Sequence, residues 1–240
     1  MAKNPHESDL EVVATGLGHL LPKVVFVGGA VVGFYITDDA APPVRGTDDI
    51  DCVVEMHTLA EYHELDAELT RLGFRHDTSQ GAPICRYLYQ GYVVDIMPTD
   101  EASLGFTNRW YAEGITVPET VTLGSGRTIQ ILSIPYFCAC KFEARASRGN
   151  NDFIGSRDTQ DIVAILDGHT AVEVALGQVS GDLADYLKES FRTVFDVDNE
   201  ELQAHLSGDF KGVRADKIRQ RLTRLYGTRP STIARTSGFS

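Results

Sequence analysis

Asp49 and Asp51 stand two residues apart in Thr47-Asp48-Asp49-Ile50-Asp51-Cys52-Val53-Val54. Alternate residues of an extended strand leave the same face, so this spacing projects both carboxylates together. Hard oxygen donors placed this way suit one or two shared divalent cations, with Mg2+ the natural guest. A third acid, Asp95, sits in Val93-Val94-Asp95-Ile96, a second apolar segment that delivers it to the same region. Without a cation, three converging carboxylates repel one another, an arrangement that needs a reason. Two-metal phosphoryl transfer supplies one, with one ion serving the attacking hydroxyl and the other the triphosphate and the departing pyrophosphate. Asp49, Asp51 and Asp95 are therefore the expected metal ligands and the expected catalytic centre.

Other residues fit the same chemistry. Gly28-Gly29 closes the apolar run Val24-Val25-Phe26-Val27. A strand that ends in glycine and opens a helix presents backbone N–H groups to phosphate oxygens, where a side chain would obstruct the approach. Arg45 and Thr47 precede the aspartate pair and can contact a triphosphate, although turn chemistry accounts for Thr47 as well. Lys141 reads either as a point-charge phosphate ligand or as a lysine snorkelling beside Phe137 and Phe142. Asp158 and Asp161 lie three apart at a predicted helix start, where capping and the helix dipole also favour acids. The seven histidines form no metal-like spacing and are expected at the surface. Cys52, Cys85, Cys138 and Cys140 lack zinc-type spacing and read as buried free thiols.

The elements that must position these residues follow from apolar periodicity and from turn residues. An opening helix is expected over 10–21, a strand over 24–27, a buried helix over 30–35 and a strand over 50–55. Residues 59–72 space Leu59, Tyr62, Leu65, Leu69 and Leu72 as an amphipathic helix ending at Gly73. Segments 84–89 and 92–97 flank Gln90-Gly91 as a hairpin that delivers Asp95. Further strands are expected over 115–118, 120–123 and 128–132, the last two joined by Gly124-Ser125-Gly126. Helices are expected over 137–147, 158–167, 170–176, 181–194, 200–206 and 213–226. The reading is an α/β (α+β) chain: a catalytic domain over 1–133, a helical domain over 134–226 and a disordered tail over 227–240.

With 42% hydrophobic and 23% charged residues, the composition is that of an ordinary globular protein, able to fold without staples. The first residues have neither a basic start nor an apolar run, and no stretch reaches the length of a membrane span, so no membrane partner and a cytoplasmic location are expected. The net charge of −12 argues against broad nonspecific binding to nucleic acid. Residues 211–235 depart from it, with eight basic side chains (Lys211, Arg214, Lys217, Arg219, Arg221, Arg224, Arg229 and Arg235) against Asp216. That local +7 is a candidate surface for docking an acceptor backbone.

Strand-Gly28-Gly29, helix, Arg45-Gly46-Thr47-Asp48-Asp49-Ile50-Asp51, then Asp95 is an order that resembles the nucleotidyltransferase superfamily that includes DNA polymerase beta. More narrowly it resembles the AbiEii-type nucleotidyltransferase toxins. The narrower likeness rests on Gly28-Gly29 in place of the more usual Gly-Ser, and on Cys140-Lys141-Phe142-Glu143-Ala144-Arg145-Ala146-Ser147-Arg148-Gly149 followed by Asp158 and Asp161. It spans roughly residues 24–167, and residues 170–240 carry no matching motif. The resemblance implies a mixed sheet with flanking helices, followed by a helical C-terminal region. It implies an enzyme that moves a nucleoside monophosphate from an NTP to an acceptor hydroxyl on RNA (tRNA) with two Mg2+ ions, as the toxin of a toxin–antitoxin pair with an antitoxin protein as partner. It also implies nucleotide binding by Gly28, Gly29, Arg45, Thr47 and Lys141, with Lys141 on the nucleotide phosphates and Asp158 important for activity. Two other functions fit the same residues: transfer to a small hydroxyl acceptor of aminoglycoside type, for which an acidic chain is suited, or a catalytically silent NTP-binding module.

Overall fold

The computed structural model describes residues 4–147, 156–195 and 212–227. The apolar run Val24–Val27 forms β1 and is buried along its whole length, as befits a strand covered on both faces. Around it lie β2 (Asp49–Val54), β3 (Arg75–His76), β4 (Arg86–Tyr89), β5 (Tyr92–Pro98), β6 (Glu119–Thr122) and β7 (Thr128–Ile131). They make one seven-stranded mixed sheet in the order β3-β4-β5-β2-β1-β7-β6. Two registers matter for the site. β1 runs antiparallel to β2 with Val27 opposite Asp51, and β2 runs parallel to β5 with Asp51 opposite Asp95. Residues directly paired on neighbouring strands project to the same face, so Asp49, Asp51 and Asp95 emerge together, while Ile50 and Cys52 are buried among the apolar residues of the core.

The helices begin with α1 (Glu7–Leu17), which gives way to a 3-10 segment, Gly18–Lys23, because Gly18 adopts φ 52° and ends the α-helix before the expected residue 21. After β1, a 3-10 turn Gly29–Val31 leads into α2 (Val32–Tyr35). α3 (Leu59–Arg71) starts at a capping box in which Thr58 accepts from Glu61 N–H and Glu61 accepts from the Thr58 N–H. Its buried face carries Tyr62 and Leu69, whereas Leu59, expected on that face, is 52% exposed. Two short helices, α4 (Glu101–Leu104) and α5 (Tyr111–Gly114), were not legible in the periodicity. The strand expected over 115–118 is absent: the N–H groups of Ile115, Thr116 and Val117 donate to the Tyr111, Glu113 and Gly114 carbonyls, so a continuing turn takes the groups a sheet ladder would need.

After β7 the chain is helical: α6 (Ile134–Ser147), α7 (Arg157–Gly168), α8 (Val172–Gly177), α9 (Gly181–Val194) and, last, α10 (Val213–Tyr226). α6 packs on α7, α8 and α9, and α10 on all three of α7, α8 and α9. The sheet and the helices share one cluster of buried side chains. Tyr35 joins them directly, its hydroxyl donating to the Leu132 carbonyl at 2.6 Å and its ring 5.1 Å from that of Phe137. Burying a side chain such as Phe137, Ile162 or Leu166 contributes about 1.5–3 kcal/mol each, enough to hold α6 and α7 firmly beside the sheet. Among the described residues no helix is long and apolar enough to cross a membrane. The helix expected over 200–206 and most of the tail expected over 227–240 lie outside the described residues, as do Arg148, Gly149, Lys211, Arg229 and Arg235.

Candidate metal centre

Asp49, Asp51 and Asp95 each offer a carboxylate oxygen, and these oxygens all lie within 4.8 Å of one another. The backbone makes room for them. Gly28 has φ 71°, a conformation that suits glycine, and a Cβ there would sit 1.9 Å from Asp51 Oδ2. Gly29 faces the other half of the site, with a would-be Cβ 2.8 Å from Arg45 Nη2 and 3.2 Å from the Thr47 Cβ. Thr47 Oγ1 donates to Asp49 Oδ1 at 2.7 Å. Three hard carboxylate donors around a cradle that a side chain would fill make a donor set that fits Mg2+.

Asp95 has a partner that sequence reasoning missed. Arg86 donates to it through Nε and Nη2 at 2.8 and 2.7 Å, a bidentate pair that fixes the plane of the carboxylate. Hydrogen bonding to Asp95 raises the Arg86 pKa. The signal was in the hairpin: with Gln90 and Gly91 as the two turn residues, Tyr89 pairs with Tyr92, and Arg86 must then face Asp95.

No family model matches the chain, and no curated protein matches it.

Beside the three carboxylates lies a second, more deeply buried cluster. Arg45 donates to Asp161 through Nε at 2.7 Å and Nη2 at 2.8 Å, and Lys141 Nζ lies 2.7 Å from Asp161 and 3.1 Å from Asp158. Asp161 and Asp158 are buried. Burial works to lower the Lys141 pKa, but the carboxylates of Asp161, Asp158 and Asp51 outweigh it and the net direction is upward. Lys141 thus feels the charge of both clusters. Its Nζ also lies 5.5 Å from the Phe137 ring centre, so the apolar packing foreseen for it is present alongside the ion pairs. Capping does not explain the two aspartates, because Ser156 is the residue that caps α7, accepting from Thr159 N–H. A buried pair of this kind returns little net stability after desolvation, which makes a binding role the more economical reason for it.

Gly28, Gly29, Arg45, Thr47, Asp49, Asp51, Asp95, Lys141 and Asp158 are thus brought together, and Arg86 and Asp161 join them. Two expectations need correction. The histidines are not all at the surface: His6 is buried and its Nε2 accepts the Thr47 N–H at 3.2 Å. The basic stretch is not a free docking face over its described part. Arg214 donates to Asp167, Asp38 and the Ala40 carbonyl, and Lys217 to Asp38 and the Asp167 carbonyl. Arg221 donates to the carbonyls of Leu166 and His169, and Arg224 to Glu173. Arg214, Lys217 and Arg221 thereby gather at the C-terminal end of α7, where its dipole is negative, while Arg224 pairs with α8. The four cysteines are free and buried, as their spacing implied.

Proposed function

We propose that this chain is a divalent-metal-dependent nucleotidyltransferase that moves a nucleoside monophosphate from an NTP to an acceptor hydroxyl. The observation that carries the reading is the juxtaposition, across Gly28-Gly29, of the Asp49/Asp51/Asp95 cluster with the Arg45–Asp161–Lys141 network. Asp49, Asp51 and Asp95 would hold Mg2+, which when bound supplies neutralisation of the triphosphate and activation of the attacking hydroxyl.

The chain's own residues do the rest. Among the described residues Arg45 engages three of its five donors, on Asp161 and the Gly46 carbonyl, which leaves two for phosphate oxygens. Lys141 engages two of its three on Asp158 and Asp161 and keeps one. Asp161 therefore holds two cations of fixed orientation beside the carboxylates, and the lack of side chains at Gly28 and Gly29 lets a triphosphate approach the backbone. Arg86 fixes Asp95, which in this reading is the carboxylate that serves the acceptor hydroxyl.

The resemblance to AbiEii-type toxins supports RNA (tRNA) as acceptor and an antitoxin as partner. A second reading, transfer to a small polycationic hydroxyl acceptor, is favoured by the net charge of −12 and by the internal engagement of the α10 cations. One experiment separates them. The protein is incubated with Mg2+ and each labelled NTP, either with total cellular RNA or with a panel of aminoglycosides, alongside Asp49→Ala and Asp51→Ala. Label in RNA from the wild type alone supports the first reading, and label in the small-molecule arm alone supports the second. Equal label from wild type and variants, or none from the wild type in either arm, overturns the proposal.

A further inference from the structure

His6 lies 43 residues before Asp49 in a segment with no periodic signal, yet it is bonded into the loop that leads to the metal centre. Asn4 and His6, both buried, strap the chain ahead of α1 over the turn that follows β1. The Asn4 side chain donates to the Ala30 carbonyl at 2.9 Å and accepts the His6 N–H at 3.1 Å, and a Cβ on Gly33 would lie 2.8 Å from the Asn4 Cα. This fixes where the imidazole of His6 stands.

We propose that His6 is a positioning residue for the candidate metal centre, acting through Thr47 on Asp49; the inference rests on the metal-centre reading above. A backbone N–H only donates, so the Thr47 N–H bond requires an unprotonated Nε2 on His6. The ring proton is then on Nδ1, which faces Asp9 Oδ2 at 3.3 Å. Asp9 in turn bonds the hydroxyl of Tyr92, three residues before Asp95 on β5. The ring is thereby held from both sides in one tautomer and one plane, as the outer partners of metal-ligating groups commonly are.

Thr47 carries the effect to the carboxylate. Its N–H is anchored by His6, its hydroxyl donates to Asp49 Oδ1 at 2.7 Å, and Gly29 packs against its Cβ. Binding Oδ1 to a fixed hydroxyl restrains the rotation of the Asp49 carboxylate, one oxygen of which lies within 4.8 Å of those of Asp51 and Asp95. The 13 residues 36–48 that connect α2 to β2 contain no helix or strand, so no ladder of backbone hydrogen bonds fixes Thr47 in place of His6.

The test is a titration with Mn2+, its free fraction read by electron spin resonance, on the full chain carrying His6→Gln, His6→Asn or His6→Ala. The Gln amide reaches the place of Nε2 and can accept from Thr47, whereas Asn reaches only the place of Nδ1. Mn2+ affinity is expected to fall about tenfold in His6→Asn and His6→Ala, in the range seen for outer partners of metal ligands, and to stay within about twofold of wild type in His6→Gln. Thermal unfolding without metal is measured in parallel, and the Gln/Asn contrast decides even if His6→Ala folds poorly. Equal affinity in wild type and all variants, or a loss in His6→Gln as large as in His6→Asn, overturns the role of His6. A wild type that binds no Mn2+ overturns the metal-centre reading itself, a different failure.

Discussion

Gly28 stands so close to Asp51 that a single methyl group at Gly28 would lie 1.9 Å from the carboxylate oxygen Oδ2. Two constraints meet at this residue, since its φ of 71° also disfavours any side chain. Gly28→Ala is therefore expected to displace Asp51 and to weaken Mn2+ binding at least tenfold, with a stability loss of about 1–3 kcal/mol from the strained backbone. Gly46→Ala is the control: nothing lies within 4 Å of its would-be Cβ. Unchanged metal affinity in Gly28→Ala, measured by Mn2+ titration, would remove the glycine from the site.

Three carboxylate oxygens within 4.8 Å of one another repel when nothing neutralises them. Mg2+ should therefore raise the unfolding free energy of the wild type, by about 2.7 kcal/mol at a concentration one hundred times its Kd. Asp49→Ala and Asp51→Ala should lose that increment and, without metal, be at least as stable as the wild type. Denaturant unfolding with and without Mg2+ checks both halves, and a variant that still gains the full increment would place the ion elsewhere.

Much of this site was legible because short-range rules set it. The buried run Val24–Val27 ends at Gly28-Gly29, alternation puts Asp49 and Asp51 on one face, and apolar periodicity gives the bounds of α9 and α10 as observed. Arg86 opposite Asp95 was implied by the two-residue turn but needed the register to be written out. Asp161 has no distinctive sequence signal because an acid near the start of a predicted helix has a local explanation, and only the tertiary fold brings Arg45, 116 residues away, onto it. His6 left no trace in the sequence, since one buried histidine bonded to a backbone N–H 41 residues on has no spacing to betray it. The mistaken strand over 115–118 shows the converse, an apolar stretch whose hydrogen bonds a turn had already taken.

Asp161 accepts from two cations while almost fully buried, so removing its charge takes the carboxylate from Arg45 and leaves Lys141 to Asp158. Asp161→Asn should cost about 3–5 kcal/mol, the range for breaking a buried ion pair from one side. The Lys141 pKa is raised above its ordinary 10.5, so the stability it contributes is present below that pH and is lost only as pH rises through the still higher folded value. The gap between wild type and Asp161→Asn should accordingly stay flat from about pH 7 to 9. A gap that closes within that window would mean that another group carries it.

Asp38 reports on the docking of α10. Its carboxylate accepts from the Ala40 N–H, Lys217 and Arg214, and these bonds, the backbone one foremost, lower its pKa from 3.8 to about 2. A depressed carboxylate contributes stability that is present above its unfolded value and disappears as pH falls through the folded one. The stability difference between wild type and Asp38→Asn should be constant above about pH 5 and vanish between 3.8 and about 2. Denaturant unfolding across that range measures it, and a difference that persists at the acid end would assign the effect to geometry and not to charge.

Arg214 decides what the basic C-terminal stretch is for. Its Nε lies 2.6 Å from Asp167 Oδ2, and Asp167 is fully buried at the end of α7, so the guanidinium is the nearest counter-charge of that acid, with Lys217 Nζ farther off at 3.8 Å. Arg214→Gln should destabilise the protein by about 3 kcal/mol because it takes the closer cation from a buried carboxylate. If Arg214 instead held a phosphate of a docked RNA, its removal would flatten the salt dependence of RNA binding by about one unit of slope. With Nε, Nη1 and Nη2 on Asp167, the Ala40 carbonyl and Asp38, the Arg214 guanidinium is expected to stay on those partners. The expected pair of results is a lower unfolding midpoint in denaturant and an unchanged slope of log affinity against log salt. A flattened slope with unaltered stability would reverse the assignment and return α10 to the acceptor surface.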